Sequence, residues 1–286
     1  MTMRLQPVAK HLTVNGLALH YLDWSAAGAP PDALPVVCVH GYTSSAQAFS
    51  AMARRLCDRA RIIAVDVRGH GESQWSGEGA YRYADQAGDL AAFVDRLGLD
   101  RFILVGTSMG GRIAMAYAVR HPRRLLALAL NDIGPDAELG SSRITTMVGN
   151  RPDSFPNLEA ALEYRRQTSP ITAARPLEDQ RETALGVLRE RPDGSWGWKM
   201  DPAYIEQRLT RAAQPPPVSW TALATLPCPT QIIWGTDSDV LSETQARRMV
   251  ETLPKGELVT VHGVGHAPTL VEPEALSALE RLLAAA

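Results

Sequence analysis

Apolar positions in this chain fall into short runs that alternate with stretches of helical spacing. Leu12 to Asp23 alternates on both sides of the pair Asn15-Gly16, the pattern of a β-hairpin with a two-residue turn. Pro35-Val36-Val37-Cys38-Val39 is a short apolar strand that runs out into His40-Gly41. Ser44 to Cys57 then sets Ala48, Phe49, Met52 and Leu56 at helical spacing. Arg61 to Asp66 predicts the next strand, Arg68 to Ser73 a polar glycine-rich loop, and Tyr83 to Leu97 a helix with Leu90, Phe93, Val94 and Leu97 on one face. Phe102 to Val105 and Leu125 to Leu130 predict two further strands, with a helix over Ile113 to Arg120 between them. Strands this apolar are buried on both faces, which implies a mostly parallel central sheet flanked by helices.

The rhythm stops after Gly134-Pro135. From there to about Trp220 the pattern predicts helices over Asn157 to Gln167, Glu178 to Arg189 and Asp201 to Ala212, no strand, and a turn that holds Trp196 and Trp198. Strand–helix alternation resumes with Thr230 to Gly235, Ser242 to Thr252, Glu257 to Val261 and Pro273 to Ala285. The economical organisation is an α/β core over 1–134 and 220–286, with a helical cap inserted over 135–219. The run Pro215-Pro216-Pro217 marks the exit from that insertion.

Composition narrows the function classes. At 286 residues and 45% apolar, the chain can build one sizeable core. A net charge of −2 with no basic block gives nucleic-acid binding no electrostatic support. Cys38, Cys57 and Cys228 sit in apolar surroundings and read as buried free thiols. The first residues lack an apolar signal core and no run approaches a membrane span, so the expectation is a cytoplasmic protein off the membrane. No feature of the sequence decides between a monomer and a homodimer. Neither a metal-ligand spacing nor a G-x-G-x-x-G run occurs, so no metal or cofactor is expected.

The chemistry concentrates in Gly106-Thr107-Ser108-Met109-Gly110-Gly111, set between an apolar strand and a helix. In that context G-x-S-x-G makes a nucleophile elbow, with strained backbone at the serine and glycines where side chains would collide. The elbow points Ser108 off the sheet and sets the Met109 N–H beside it as an oxyanion donor. A serine hydroxyl needs a base. Of the seven histidines, His266 lies in a glycine-rich loop beyond the last strand, where open α/β sheets place their sites; His262 is the reserve. His121 ends a helix, and His11 and His20 flank the hairpin. An acid must hold the imidazole. Asp132, Asp237 and Asp239 all follow strands, and all precede His266, which leaves three candidates.

His40-Gly41-Tyr42, Asp66 to Ser73, the Ser108 elbow and Gly263-Val264-Gly265-His266, in this order and spacing, resemble the α/β-hydrolase superfamily. The resemblance covers nearly the whole chain. It implies that Tyr42 supplies the second oxyanion N–H, and that His40, His70 and Arg68 tie loops together. Gly235-Thr236-Asp237-Ser238-Asp239-Val240-Leu241 resembles a variant that carries its acid in Ser-Asp-Val-Leu, which points to Asp239, with Asp237 and Asp132 as alternatives. Many members carry the acid three residues after the glycine, where this chain has Ser238.

The expected activity is cofactor-free serine hydrolysis of a small carboxylic ester or lactone, with Ser108, His266 and Asp239 as the triad. The same triad would serve cleavage of a carbon–carbon bond in a β-diketone or ring-cleavage product. A ligand receptor on a hydrolase fold is the alternative of another class. Arg143, Arg151, Arg165 and Arg166, all in the insertion, are expected at the solvated surface rather than on an acidic substrate.

Overall fold

A computed structural model describes residues 4–25, 30, 33–136, 148–210 and 216–286. Two strands open the chain, β1 (Val8–Val14) and β2 (Leu17–Asp23), in the expected hairpin. Asn15 and Gly16 both have positive φ, as a tight two-residue turn of matching twist requires. The hairpin begins four residues earlier than the alternation suggested, because β1 is the outer strand and its Val8 is exposed.

There follow β3 (Leu34–Val39), α1 (Ser50–Leu56), β4 (Ala60–Val65), α2 (Tyr83–Arg96), β5 (Phe102–Thr107), α3 (Met109–Ala118) and β6 (Leu125–Asn131). After the insertion come β10 (Thr230–Gly235), then a helix (Glu243–Thr252), β11 (Gly256–Val261) and a closing helix (Pro273–Ala285). The eight strands run in the order β1-β2-β4-β3-β5-β6-β10-β11. Only β1–β2 and β2–β4 pair antiparallel; the rest of the sheet is parallel. Two apolar clusters cover its faces, one centred on Phe93, Leu104 and Ile113, the other on Phe49, Ile62 and Val105. Both faces are therefore dry, which is why the strands read as apolar runs rather than alternating ones. Cys38, Cys57 and Cys228 are buried free thiols, and burial raises the pKa of each.

The segment between β6 and β10 departs from expectation. It contains a three-stranded antiparallel sheet of β7 (Ser154–Phe155), β9 (Trp196–Trp198) and β8 (Leu188–Glu190). Trp196 and Trp198 thus lie in a strand rather than a turn, and the second predicted helix stops at Val187, where the chain extends to pair with β9. Two- and three-residue strands are too short for alternation to register in sequence. The main helices here are Leu158–Thr168, Leu177–Val187 and Pro202–Thr210. Phe155, Leu158, Ala161, Leu162, Ala184, Val187 and Leu188 give the segment a small core of its own.

The Pro202–Thr210 end of this segment is sewn to the loop that follows β4. The Asp201 N–H donates to the Gly69 carbonyl at 2.9 Å, Trp75 Nε1–H donates to the Lys199 carbonyl at 2.9 Å, and Gln207 Nε2 donates to the Gly79 carbonyl at 2.8 Å. Tyr81 donates to Asp201 and stacks on Tyr204 with ring centroids 4.4 Å apart.

The C-terminal ends of β3, β5, β6, β10 and β11 come to one edge of the sheet, and the chain must pass closely there. A Cβ added at Gly110 would lie 2.0 Å from the Val39 carbonyl oxygen and 2.7 Å from that of His40. Both neighbours are backbone and cannot swing aside. Gly110→Ala is therefore expected to destabilise the fold by at least about 3 kcal/mol, measured by urea denaturation. An unchanged midpoint would mean that helix α3 does not approach β3 this closely.

Candidate active site

Ser108 sits between β5 and α3 with φ 53° and ψ −116°, a conformation a non-glycine residue adopts at a cost of about 1–3 kcal/mol. The strain is held by the backbone around it. The Ser108 N–H donates to the Asn131 carbonyl at 3.0 Å, and its own carbonyl accepts from the Gly111 and Arg112 amides. Helix α3 starts at Met109, four residues before the predicted start, because the turn feeds directly into it. The Met109 N–H is therefore a first-turn donor, a position without an acceptor inside the helix. On the other side, a Cβ placed on Gly41 would be 3.5 Å from the Ser108 Cβ, so the His40-Gly41-Tyr42 turn packs against the serine.

His266, beyond β11, joins Ser108 to a carboxylate. Ser108 Oγ lies 2.8 Å from His266 Nε2, and His266 Nδ1 lies 2.7 Å from Asp132 Oδ2. A carboxylate only accepts, so Nδ1 carries the proton and Nε2 is left to accept from the serine. Asp132 is wholly buried, Ser108 almost so, and the His266 ring is 17% exposed.

The carboxylate on the imidazole is Asp132, not Asp239 and not Asp237. Strands β6 and β10 are parallel neighbours, with Asn131 opposite Ile233, so the residue after β6 is directed beneath the loop that follows β10. Past Gly235 that loop turns outward, leaving Asp237 and Asp239 exposed, and Asp237 accepts from Thr236. Asp132 takes positive φ (56°) and donates its N–H to the Ile233 carbonyl at 2.8 Å. Its Oδ1 accepts from the Gly235 N–H at 3.2 Å, and its Oδ2 from the Ser238 hydroxyl at 2.6 Å. Ser238, which stands where a carboxylate was anticipated, thus donates to the carboxylate that meets His266 from the neighbouring strand. Sequence reasoning gave neither Ser238 nor Asn131 a part. Asn131 Nδ2 bonds Thr107 Oγ1 at 3.1 Å and the Pro268 carbonyl at 2.8 Å, linking the elbow to the histidine loop.

His40, His70 and His20 are ties. His40 Nδ1 donates to the Gly41 carbonyl at 2.8 Å, and its Nε2 accepts from the Val67 N–H at 3.1 Å. His70 Nε2 donates to the Tyr42 carbonyl at 2.5 Å. Arg68 makes two bonds to Asp89 and a third to the Ala80 carbonyl. His20 and the Ala46 and Glu72 amides converge on Asp66. Burial lowers the pKa of His40, and burial together with the charge of His40 pulls His70 down to about 3. The folded protein then keeps His70 neutral while the unfolded chain takes up a proton near 6.5. The unfolded state binds more protons in that window, so stability falls as pH drops from about 6.5 towards about 3, by roughly 1.4 kcal/mol per pH unit for this group. The low pKa of Asp66, secured by His20, adds its own loss only below its ordinary 3.8. Urea midpoints measured across this range should fall on acidification, with a shallower slope in His70→Gln. An equal slope in the variant would exclude His70 as the source.

From the inserted segment, Tyr204 reaches the same edge of the sheet. Its hydroxyl lies 3.0 Å from Met109 Sδ and accepts from Gln86 Nε2 at 2.9 Å, and its ring meets Tyr42 edge-on at 5.2 Å. Among the described residues, no group of three or more His, Cys, Asp or Glu is arranged to hold a metal ion, and no helix is long and apolar enough to cross a membrane.

The family model described as alpha/beta hydrolase fold matches residues 35–273. The chain belongs to this family. It is 29% identical over 269 residues to a 3-hydroxybutyrate-oligomer hydrolase of Cupriavidus necator, covering 91% of this chain and 92% of that protein. It is 27% identical over 252 residues to the esterase YbfF of Escherichia coli, covering 87% and 92%. A crystal structure of an alpha/beta hydrolase from Novosphingobium aromaticivorans superposes with a TM-score of 0.84 at 30% identity, covering 98% and 99%. The protein is a hydrolase, and its curated relatives include esterases and lipases.

Proposed function

We propose that this α/β hydrolase cleaves a small carboxylic ester or lactone through an acyl-enzyme on Ser108. The observation that carries the reading is the unbroken hydrogen-bond relay from Ser108 Oγ through His266 to Asp132. As Ser108 attacks the carbonyl carbon, its proton passes to His266 Nε2, and the imidazolium that forms is stabilised by Asp132. The oxyanion is received by the Tyr42 and Met109 amides. His266 then returns the proton to the departing alcohol. Water, deprotonated by the same ring, releases the acid and restores Ser108. No step calls on a cofactor. Residues 148–210 act as the roof of the site and select among substrates.

Names of relatives bring one substrate class forward. Oligomers of 3-hydroxybutyrate are chains of ester bonds, so short hydroxy-acid esters belong in any trial alongside nitrophenyl esters, simple lactones and dienoic ring-cleavage products. The expected result is turnover of one of the ester or lactone classes, abolished in Ser108→Ala. Rapid turnover of the ring-cleavage products with negligible ester activity would overturn the ester reading in favour of carbon–carbon bond hydrolysis.

A further inference from the structure

Helix Pro202–Thr210 brings a side chain of the inserted segment to the Ser108 elbow. Asp201 starts the helix by accepting from the Ala203 N–H at 2.9 Å, and Pro202 fills the first position, where no N–H is needed. Pro202 and Ala203 are exposed, whereas Tyr204 turns inward and is 2% exposed. The core fixes it there. Its ring stacks on Tyr81 and meets the His70 ring edge-on at 5.1 Å, and its hydroxyl accepts from Gln86 on α2. Tyr81 in turn donates to Asp201 and accepts from the Ser76 N–H at 2.8 Å. Tyr204 thus belongs to the inserted segment in sequence and to the α/β core in packing.

Held in this way, Tyr204 touches both residues proposed to supply the oxyanion amides. Its ring lies edge-on to Tyr42, and its carbonyl accepts from the Tyr42 hydroxyl at 3.4 Å. Its own hydroxyl donates to Met109 Sδ at 3.0 Å. Tyr42 follows β3 and Met109 follows β5, so Tyr204 bridges the ends of two strands. On the Tyr42 side the bracing is double, because His70, on which Tyr204 also packs, donates to the Tyr42 carbonyl. The one hydroxyl hydrogen of Tyr204 is spent on Met109. Tyr204 therefore acts through its neighbours rather than as a proton donor to the substrate.

Oxyanion donors work by standing in place before the negative charge develops, so that no reorganisation is needed as the carbonyl becomes tetrahedral. The Met109 amide is set by the elbow and the first turn of α3, but the Tyr42 amide lies on a loop from another strand. The spacing between the two needs a brace, and a misplacement of about 1 Å is enough to cost much of the effect. We infer that Tyr204 is a positioning residue of the oxyanion hole, holding Tyr42 and Met109 at the separation that the tetrahedral intermediate requires. The inserted segment then contributes to the chemical step as well as to the choice of substrate. This inference rests on the Ser108 ester-hydrolase reading above, with Tyr42 and Met109 as the donors.

The test uses nitrophenyl butanoate as substrate and butyl trifluoromethyl ketone as a probe of the hole. Ser108 Oγ adds to the activated ketone carbon, His266 takes the hydroxyl proton, and the ketone oxygen becomes an oxyanion between the two amides. Butyl methyl ketone, which resists this addition, reports ground-state binding alone. Tyr204→Phe keeps the ring and removes the bond to Met109. Its kcat should fall about tenfold with KM within about twofold of wild type, and the Ki of the trifluoromethyl ketone should rise about tenfold while that of the methyl ketone holds. Tyr204→Leu, which removes the ring as well, should extend both changes to about a hundredfold. Should the Leu variant not fold, the Phe variant decides alone. Gln207→Ala, which instead removes the bond of the same helix to the Gly79 carbonyl, should leave kcat as it is. An unchanged kcat in Tyr204→Phe, a rise in KM alone, a loss of kcat without weaker binding of the trifluoromethyl ketone, or an equal loss in Gln207→Ala would overturn the assignment and leave the Ser108 reading intact. Wild-type protein that binds the two ketones equally, or that hydrolyses no ester or lactone, would instead overturn that reading.

Discussion

Ser108→Ala is expected to reduce kcat on any ester substrate by about 10⁴- to 10⁶-fold while leaving the urea midpoint close to that of the wild type. The size follows from the relay. Without the hydroxyl there is no atom to form the acyl-enzyme, and His266 has no proton to take from it. What survives is the rate supplied by substrate binding and the two backbone donors. The fold should tolerate the change because, among the described residues, the serine side chain bonds only His266, while the amide and carbonyl of residue 108 make the local structural bonds. A companion measurement is labelling by a fluorophosphonate, which should mark the wild type at Ser108 and not the variant. Ester turnover that persists in Ser108→Ala would place the nucleophile elsewhere.

The second large effect separates three carboxylates. Asp132→Asn should lower kcat by about 10⁴-fold, whereas Asp239→Asn and Asp237→Asn should stay within a fewfold of wild type. The amide of an asparagine at 132 can donate to His266 Nδ1. That would favour the tautomer with its proton on Nε2, the nitrogen that must be vacant to accept from Ser108. The exposed positions of Asp237 and Asp239 supply neither this orientation nor a dry environment for the charge. Steady-state kinetics on the three variants decide it. A large loss in Asp239→Asn with a small one in Asp132→Asn would assign the acid to the loop after β10.

Much of this arrangement was legible in the chain because it depends on local pattern. Both faces of the sheet are dry, so strands such as Val36 to Val39 and Leu125 to Leu130 appear as apolar runs, and Gly106 and Gly110 stand where backbones nearly touch. Ser108 and His266 could be read from strand–turn–helix context and from a glycine-rich loop after the last strand. The identity of the carboxylate was not local. It turned on which of two adjacent strand ends faces the imidazole, a consequence of the β6–β10 register that no spacing in the sequence expresses. One signal was present: a hydroxyl at 238 where a carboxylate would otherwise stand, with Asn131-Asp132 at the end of the neighbouring strand. The inserted segment was the least legible. Strands of two or three residues leave no alternation to detect.

Asp132 is also the point at which the chain leaves the sheet for the inserted segment. Its backbone is tied to Ile233, and its side chain to Gly235, Ser238 and His266, all before the chain reaches Gly134-Pro135. The carboxylate behind His266 is therefore held by the end of β6 and the loop after β10 before the chain enters that segment. Substitutions in that segment beyond Pro135 are accordingly expected to leave the four bonds of Asp132 to Ile233, Gly235, Ser238 and His266 in place.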